Sequence, residues 1–367
     1  MLCAQIKLSF FIAFGYNKER KRVKKMNKEF LFEMLNTPSP SGNEFILQKK
    51  IEQYMGEYID SKIKDNTGNL INVINNKHPY KVLLCGHVDE ISLMITKILD
   101  NGMIKATANG GINPNLYHGQ RVKIIHEDQE IIGVIHVDTN CKEKVDVKVL
   151  TIDIGTSSKE ETLKYLSIGD YVIHDIEAKE LQNNLITCRA LDNRVGAFIV
   201  NEALIRAKEL GAKVGVYAAS TVGEETSMRG AYWAASEVKP DFSIIVDVTY
   251  ATDYPGAYDC DTDIALGKGG VLCLSSIVHP RLNKLFKQVA EKLNYNIQYE
   301  AAPRRTGTDG DQVLKSAGGT PIVLISIPLR NMHSPVEIVS LKDVEEIIEI
   351  IAQVLKEIGD EFDLSLF

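Results

Sequence analysis

Cysteine chemistry is scarce in this chain. Its six cysteines, Cys3, Cys85, Cys141, Cys188, Cys260 and Cys273, are scattered over 367 residues, and no two form a Cys-x-x-Cys pair. That argues against a thiolate zinc site and for reduced thiols in a cytoplasmic setting. Positive charge is not in excess either. Lysine and arginine total 42 against 49 aspartates and glutamates, a formal net charge of −7, which gives no reason to expect nucleic acid as a partner. No apolar run reaches the roughly 20 residues that cross a bilayer. The short one at 8–14 precedes a basic cluster, whereas a signal peptide carries its charges first. Residues 1–25 are therefore expected to be an extension outside the fold, with a peripheral membrane anchor as the alternative. Internal repeats and low-complexity tracts are also missing. What remains, 44% hydrophobic and 25% charged residues, is the composition of a folded globular chain with room for two domains.

Periodicity divides the chain in three. Phe30, Leu31, Met34 and Leu35 have helical spacing before PSPSG breaks the pattern. A second helix is expected from 43 to about 58, carrying Phe45, Ile51, Tyr54 and Met55. KVLLCG then reads as a buried strand. From about 93 to 186 the texture changes to glycine-rich turns (NGGINP) and short β-branched runs such as RVKIIH and EIIGVIHV. That pattern predicts a small all-β unit inserted into another domain. Alternation then resumes: a strand at NLITCRAL, a helix over 193–210, strands at VGVYAAS and FSIIVDV, a helix over 281–293, a strand at TPIVLISI and a helix over 341–358. The expected fold class is α/β, a mixed sheet flanked by helices, built from 26–92 and 187–367 around an inserted β-barrel-like domain at 93–186.

Polar residues recur just past the buried strands. His87 and Asp89 follow KVLLCG, Asp192 follows NLITCRAL, Glu224 and Glu225 follow VYAASTVG, Asp247 follows FSIIV, and His333 follows PIVLISIPLRNM. Sites in open α/β sheets form outside the carboxyl ends of strands. Each residue alone is ordinary: an aspartate before a helix is commonly a cap, and paired glutamates are commonly a solvated face. Together they are not, because so many carboxylates at one edge repel one another unless a cation intervenes. Imidazole and carboxylate donors without thiolate suit zinc, cobalt or manganese. His118, His126, His136, His174 and His279 lack carboxylate company in the sequence and are read as structural or surface.

At these residues the chain resembles the tetrahedral-particle dinuclear aminopeptidases, metallopeptidase family forty-two. The matching segments are PSPSGNE, CGHVDEIS, DIGTSSKEE, ALDNRVG, GEETSMRGA, VDVTYATD, GTDGD and MHSPVE, in the family's order from about 36 to 358. The resemblance implies two divalent metal ions, zinc or cobalt with manganese also admitted. It implies His87 and Asp247 on one ion, Glu225 and His333 on the other, and Asp192 bridging. Asp89 would orient His87, and Glu224 would be the general base of hydroxide attack on an N-terminal peptide bond. It further implies peptide substrates and self-association, from dimer to dodecamer, through the inserted domain. Three positions depart from the family's usual residues: Asn193 for Asp, Tyr250 for His and Gly223 for Gln. Segments 307–311 and 265–270 are candidates for the wall of the substrate pocket.

Two other functions compete. A glycoside hydrolase needs two carboxylates and no metal, which leaves His87 and His333 without a use. A non-catalytic metal-binding assembly protein would need the ligands but not Glu224.

Overall fold

The first helix starts where Asn27 accepts the backbone N–H of Phe30 at 3.0 Å, a cap that contributes about 1 kcal/mol. The structure is a computed structural model describing residues 26–136, 146–257 and 262–366, so the expected extension at 1–25 lies outside the described residues.

An eight-stranded sheet carries the larger unit. Its order is Ser61–Lys64, Leu70–Ile74, Gly215–Thr221, Lys81–His87, Phe242–Tyr250, Ile322–Leu329, Val271–Leu274, Gln298–Ala301. The four central strands, from Gly215–Thr221 to Ile322–Leu329, are mutually parallel, and antiparallel pairs flank them. The sheet is therefore mixed, as expected. Its central strands are continuous apolar runs because both faces are covered. One face packs Phe198, Leu282, Val344 and Ile351 from three long helices. The other packs Ala231, Ala234 and Val238 from the helix Arg229–Val238.

One close approach fixes how the longest helix, Leu191–Leu210, lies on the sheet. A Cβ on Gly86 would fall 2.6 Å from the backbone of Gly196, so strand and helix touch through two glycines.

Between Lys81–His87 and Leu185–Cys188 the chain builds a closed six-stranded barrel. Around it run Ser92–Ile98, Ile104–Asn109, Ile152–Asp153, Gln129–Ile135, Arg121–His126 and Tyr171–His174. The barrel has its own core of Leu93, Ile104, Val122, Ile124, Ile152 and Val172.

Some local expectations differ from the structure. Phe45 points outward, and Leu47 takes its place in the core. Leu185–Cys188 joins a separate three-stranded sheet with Lys179–Glu180 and Glu337–Ser340. A four-residue strand carries no signal about which sheet it joins, so this pairing was not legible. Asp247 lies inside the strand Phe242–Tyr250, not past its end. His126 and His136 do have carboxylate company: Asp170 Oδ2 is 2.9 Å from His126 Nδ1, and Asp153 Oδ2 is 3.4 Å from His136 Nε2. Asp153 lies on another strand of the barrel unit and Asp170 in the turn before Tyr171–His174, both beyond the reach of sequence spacing.

Candidate active site

The parallel strands present their carboxyl ends at one edge, and the polar residues gather there. His87 ends its strand, fully buried. Asp192 arrives from the start of the helix Leu191–Leu210, Glu224 and Glu225 from the turn after Gly215–Thr221, and His333 from the loop after Ile322–Leu329.

Asp192 lies between two imidazoles. Its Oδ1 is 3.3 Å from His87 Nε2, and its Oδ2 is 3.3 Å from His333 Nε2. Around His87 Nε2 stand Glu224 Oε2 at 3.7 Å and Asp247 Oδ1 at 3.9 Å. Glu225 Oε2 is 3.4 Å from His333 Nε2. One donor atom each from His87, Asp192 and Glu225 lie within 4.8 Å of one another, a group able to hold a cation. All six side chains named in the sequence reading as ligands or base thus meet in one place.

The electrostatics show the crowding. Burial first, and then neighbouring carboxylates against the pull of His87, push Glu224 up to about 10 and Asp247 up to about 8. Burial and Asp192 push Glu225 well above the carboxylate range. Burial alone would lower both histidines. The surrounding carboxylates win and raise His333 to about 10 and His87 well above its ordinary value. Four acidic groups crowded around two imidazoles are an arrangement that a divalent ion would relieve, and the nitrogen and oxygen donors fit zinc, cobalt or manganese.

The orienting groups are more numerous than the sequence indicated. His87 Nδ1 is 3.2 Å from the Asp89 carbonyl and 3.4 Å from its Oδ1. His333 Nδ1 is 2.9 Å from the carbonyl of Gly111, in the NGGINP turn of the barrel unit. A donated Nδ1–H there leaves Nε2 free to bind. A Cβ on Gly111 would sit 3.1 Å from the ring, so any larger residue here would press the imidazole to shift by a few tenths of an ångström.

Two buried carboxylates have roles that the sequence did not indicate. Glu337, 2% exposed, accepts the His333 backbone N–H at 2.8 Å and the Asp192 backbone N–H at 3.0 Å. The one available signal was its place in MHSPVE. Asp309, in GTDGD, is buried and accepts the Thr221 hydroxyl at 2.5 Å. Asn193 is also buried: its amide donates to the Val246 carbonyl at 2.8 Å, and its Oδ1 accepts from Gly196 at 3.1 Å.

Beside the cluster opens a cleft of about 390 Å³. Gly307 and Thr308 of the 307–311 segment line it, and so do Tyr250 and the adjoining Thr306. The 265–270 segment does not. Its Gly267 and Gly269 N–H groups turn instead to the Asp343 carboxylate, at 2.6 and 2.8 Å. Cys273 and Glu300, neither of them anticipated, complete that wall.

A mixed sheet with carboxylates and imidazoles converging beside an open cleft defines an α/β enzyme. The chain belongs to the M42 glutamyl aminopeptidase family, which matches residues 68–350. It is a hydrolase, an aminopeptidase. It is 28% identical over 344 residues to the lysyl aminopeptidase of Pyrococcus furiosus, covering 90% of this chain and 97% of that one. The crystal structure of the TET aminopeptidase from the archaeon Thaumarchaeota archaeon SCGC AB-539-E09 superposes with a TM-score of 0.85 at 28% identity, covering 90% and 96% of the two chains. The TET1 peptidase of Pyrococcus horikoshii, which can assemble into a tetrahedron or a large octahedral shell, superposes at 0.79 with 28% identity, covering 89% and 98%.

Proposed function

We propose that the chain removes N-terminal residues from peptides at a centre of two divalent ions, zinc or cobalt, with Glu224 as general base. The observation that carries this is Asp192, which turns one carboxylate oxygen to His87 and the other to His333, each at 3.3 Å. That is the posture of a bridging ligand. His87 and Asp247 would hold one ion, Glu225 and His333 the other. When bound, such ions polarise a carbonyl and lower the pKa of water.

The chain's own residues supply the rest. Asp89 and Gly111 fix the imidazole orientations. Glu224 lines the cleft and stays off the ligand set, because its task is to take the proton of the attacking water and hand it to the leaving amine. Asp192, Glu225 and Asp247 would give their carboxylate oxygens to the ions, and the cleft beside them leaves room for the peptide.

Self-association is proposed through the barrel unit at 93–186. Ile132, Val134, Leu163 and Ile168 expose large apolar side chains there, which supports a buried face in an assembly. The free, buried Cys85, Cys188 and Cys273 support a reducing, cytoplasmic compartment.

The test is Glu224→Gln. Turnover of aminoacyl p-nitroanilides should fall by about 10²–10⁴-fold while metal analysis still finds two ions per chain. Turnover unchanged in that variant, or cleavage of carboxymethylcellulose that survives a chelator, would overturn the reading.

A further inference from the structure

The cleft has a charged wall that the catalytic cluster does not account for. Apart from the cluster itself, Glu300 is its only charged lining residue, and no lysine or arginine lines it among the described residues. The Glu300 side chain has no hydrogen bond or ion pair among the described residues. The nearby Arg304 and Arg305 are exposed to solvent and stand outside the lining.

Strand register places Glu300 relative to the cluster. Asp247 is opposite Ser326, Ser326 opposite Val271, and Val271 opposite Gln298. Glu300 is two residues further along the same strand, hence on the same face of the sheet. Three strand spacings put it about 14 Å sideways from Asp247, and two residues put it about 7 Å along. Cys273 lies directly opposite Glu300 and forms the floor between them, with Leu324 beside it. From the cluster the path passes Ser326, crosses the apolar floor of Cys273 and Leu324, and ends at the carboxylate.

We propose that Glu300 is the specificity-determining residue of this enzyme and that the cleft takes peptides whose first residue is lysine or arginine. A lysyl stem would lie over Cys273 and Leu324 and bring its ammonium to Glu300. The distance selects a long side chain. The charge selects a cation, because two divalent ions offset Asp192, Glu224, Glu225 and Asp247 and leave Glu300 uncompensated. An acidic first residue would meet that carboxylate with no cation to receive it. The inference rests on the aminopeptidase centre described above.

The comparison that tests it sets lysyl p-nitroanilide against norleucyl p-nitroanilide, which keeps the stem and lacks the ammonium, with leucyl and glutamyl substrates alongside. In the metal-loaded native enzyme, kcat/KM for lysine should exceed that for norleucine by about tenfold or more. Glu300→Gln should collapse the lysine-to-norleucine ratio towards one, and Glu300→Lys should raise the glutamyl-to-norleucyl ratio. The native comparison needs no variant to fold. Hydrolysis with norleucine equal to or better than lysine, or a ratio unaltered in Glu300→Gln, overturns this inference alone. No hydrolysis of any aminoacyl substrate overturns the peptidase centre and this inference with it.

Discussion

Asp89 Oδ1 accepts the backbone N–H of Glu224 at 3.0 Å, and its Oδ2 accepts that of Glu225 at 3.2 Å. One buried carboxylate therefore sets the turn that carries both glutamates, while also facing His87. Asp89→Asn keeps the shape but points an amide N–H at a backbone donor. Metal affinity or kcat/KM should fall by about 10–100-fold. Stability should fall by about 1–3 kcal/mol. Metal titration and urea unfolding read the two effects separately.

Gly111 joins the barrel unit to the catalytic cluster through the His333 ring. Gly111→Ala places a methyl 3.1 Å from Cε1 and Nδ1, and the imidazole must give way. Metal affinity is expected to drop by about tenfold, with global stability nearly unchanged. Isothermal titration with zinc, paired with thermal denaturation, checks this; native affinity would show that the turn does not set the ligand.

Glu90 is 1% exposed and pairs with Arg189; Arg194 Nη1 stands 3.6 Å away, and the Ser39 N–H donates to Glu90 at 2.9 Å. Despite burial, the two guanidinium groups hold its carboxyl below the usual range. Glu90→Gln leaves buried cations uncompensated and should cost about 3–5 kcal/mol. Chemical denaturation at neutral pH measures it.

His174 is 8% exposed and packs on the Tyr117 ring with centroids 4.1 Å apart. Burial, then the nearby Arg189 charge, depress its pKa to about 4. A depressed value means that the folded state disfavours the imidazolium. The stability it contributes is present above about 6.5 and is lost as pH falls from there towards about 4. The loss at pH 5 is about 2 kcal/mol. His174→Gln should show a flatter stability profile between pH 7 and about 5 than the native chain; parallel profiles would exclude this histidine as a contributor.

How far the sequence could be read depends on how local each signal is. The helix Leu341–Glu357 was legible from Val344, Ile347, Ile351 and Leu355 because its buried stripe follows the helical period. The helix Arg229–Val238 escaped notice, since alanine and glycine supply most of its buried face and register weakly as apolar. The short strands Val271–Leu274 and Gln298–Ala301 escaped too, and with them Cys273 and Glu300 in the cleft wall. Glu337 was invisible as a site residue because its work is done by hydrogen bonds to two backbone groups.

The order of hydrophobic runs, and the acid or imidazole that closes or follows each, is written in the chain. Periodicity and valence act locally, so they decided the helices, the central strands and the kind of ion such donors accept. Distances were another matter. Asp192 is 105 residues from His87 and 141 from His333 by number, and only the stacking of parallel strands, with a helix seated on Gly86, brings them to 3.3 Å. The barrel turn that touches His333, and the lone carboxylate at the far wall of the cleft, were likewise settled by packing, because contact across a sheet depends on register and not on nearness in the chain.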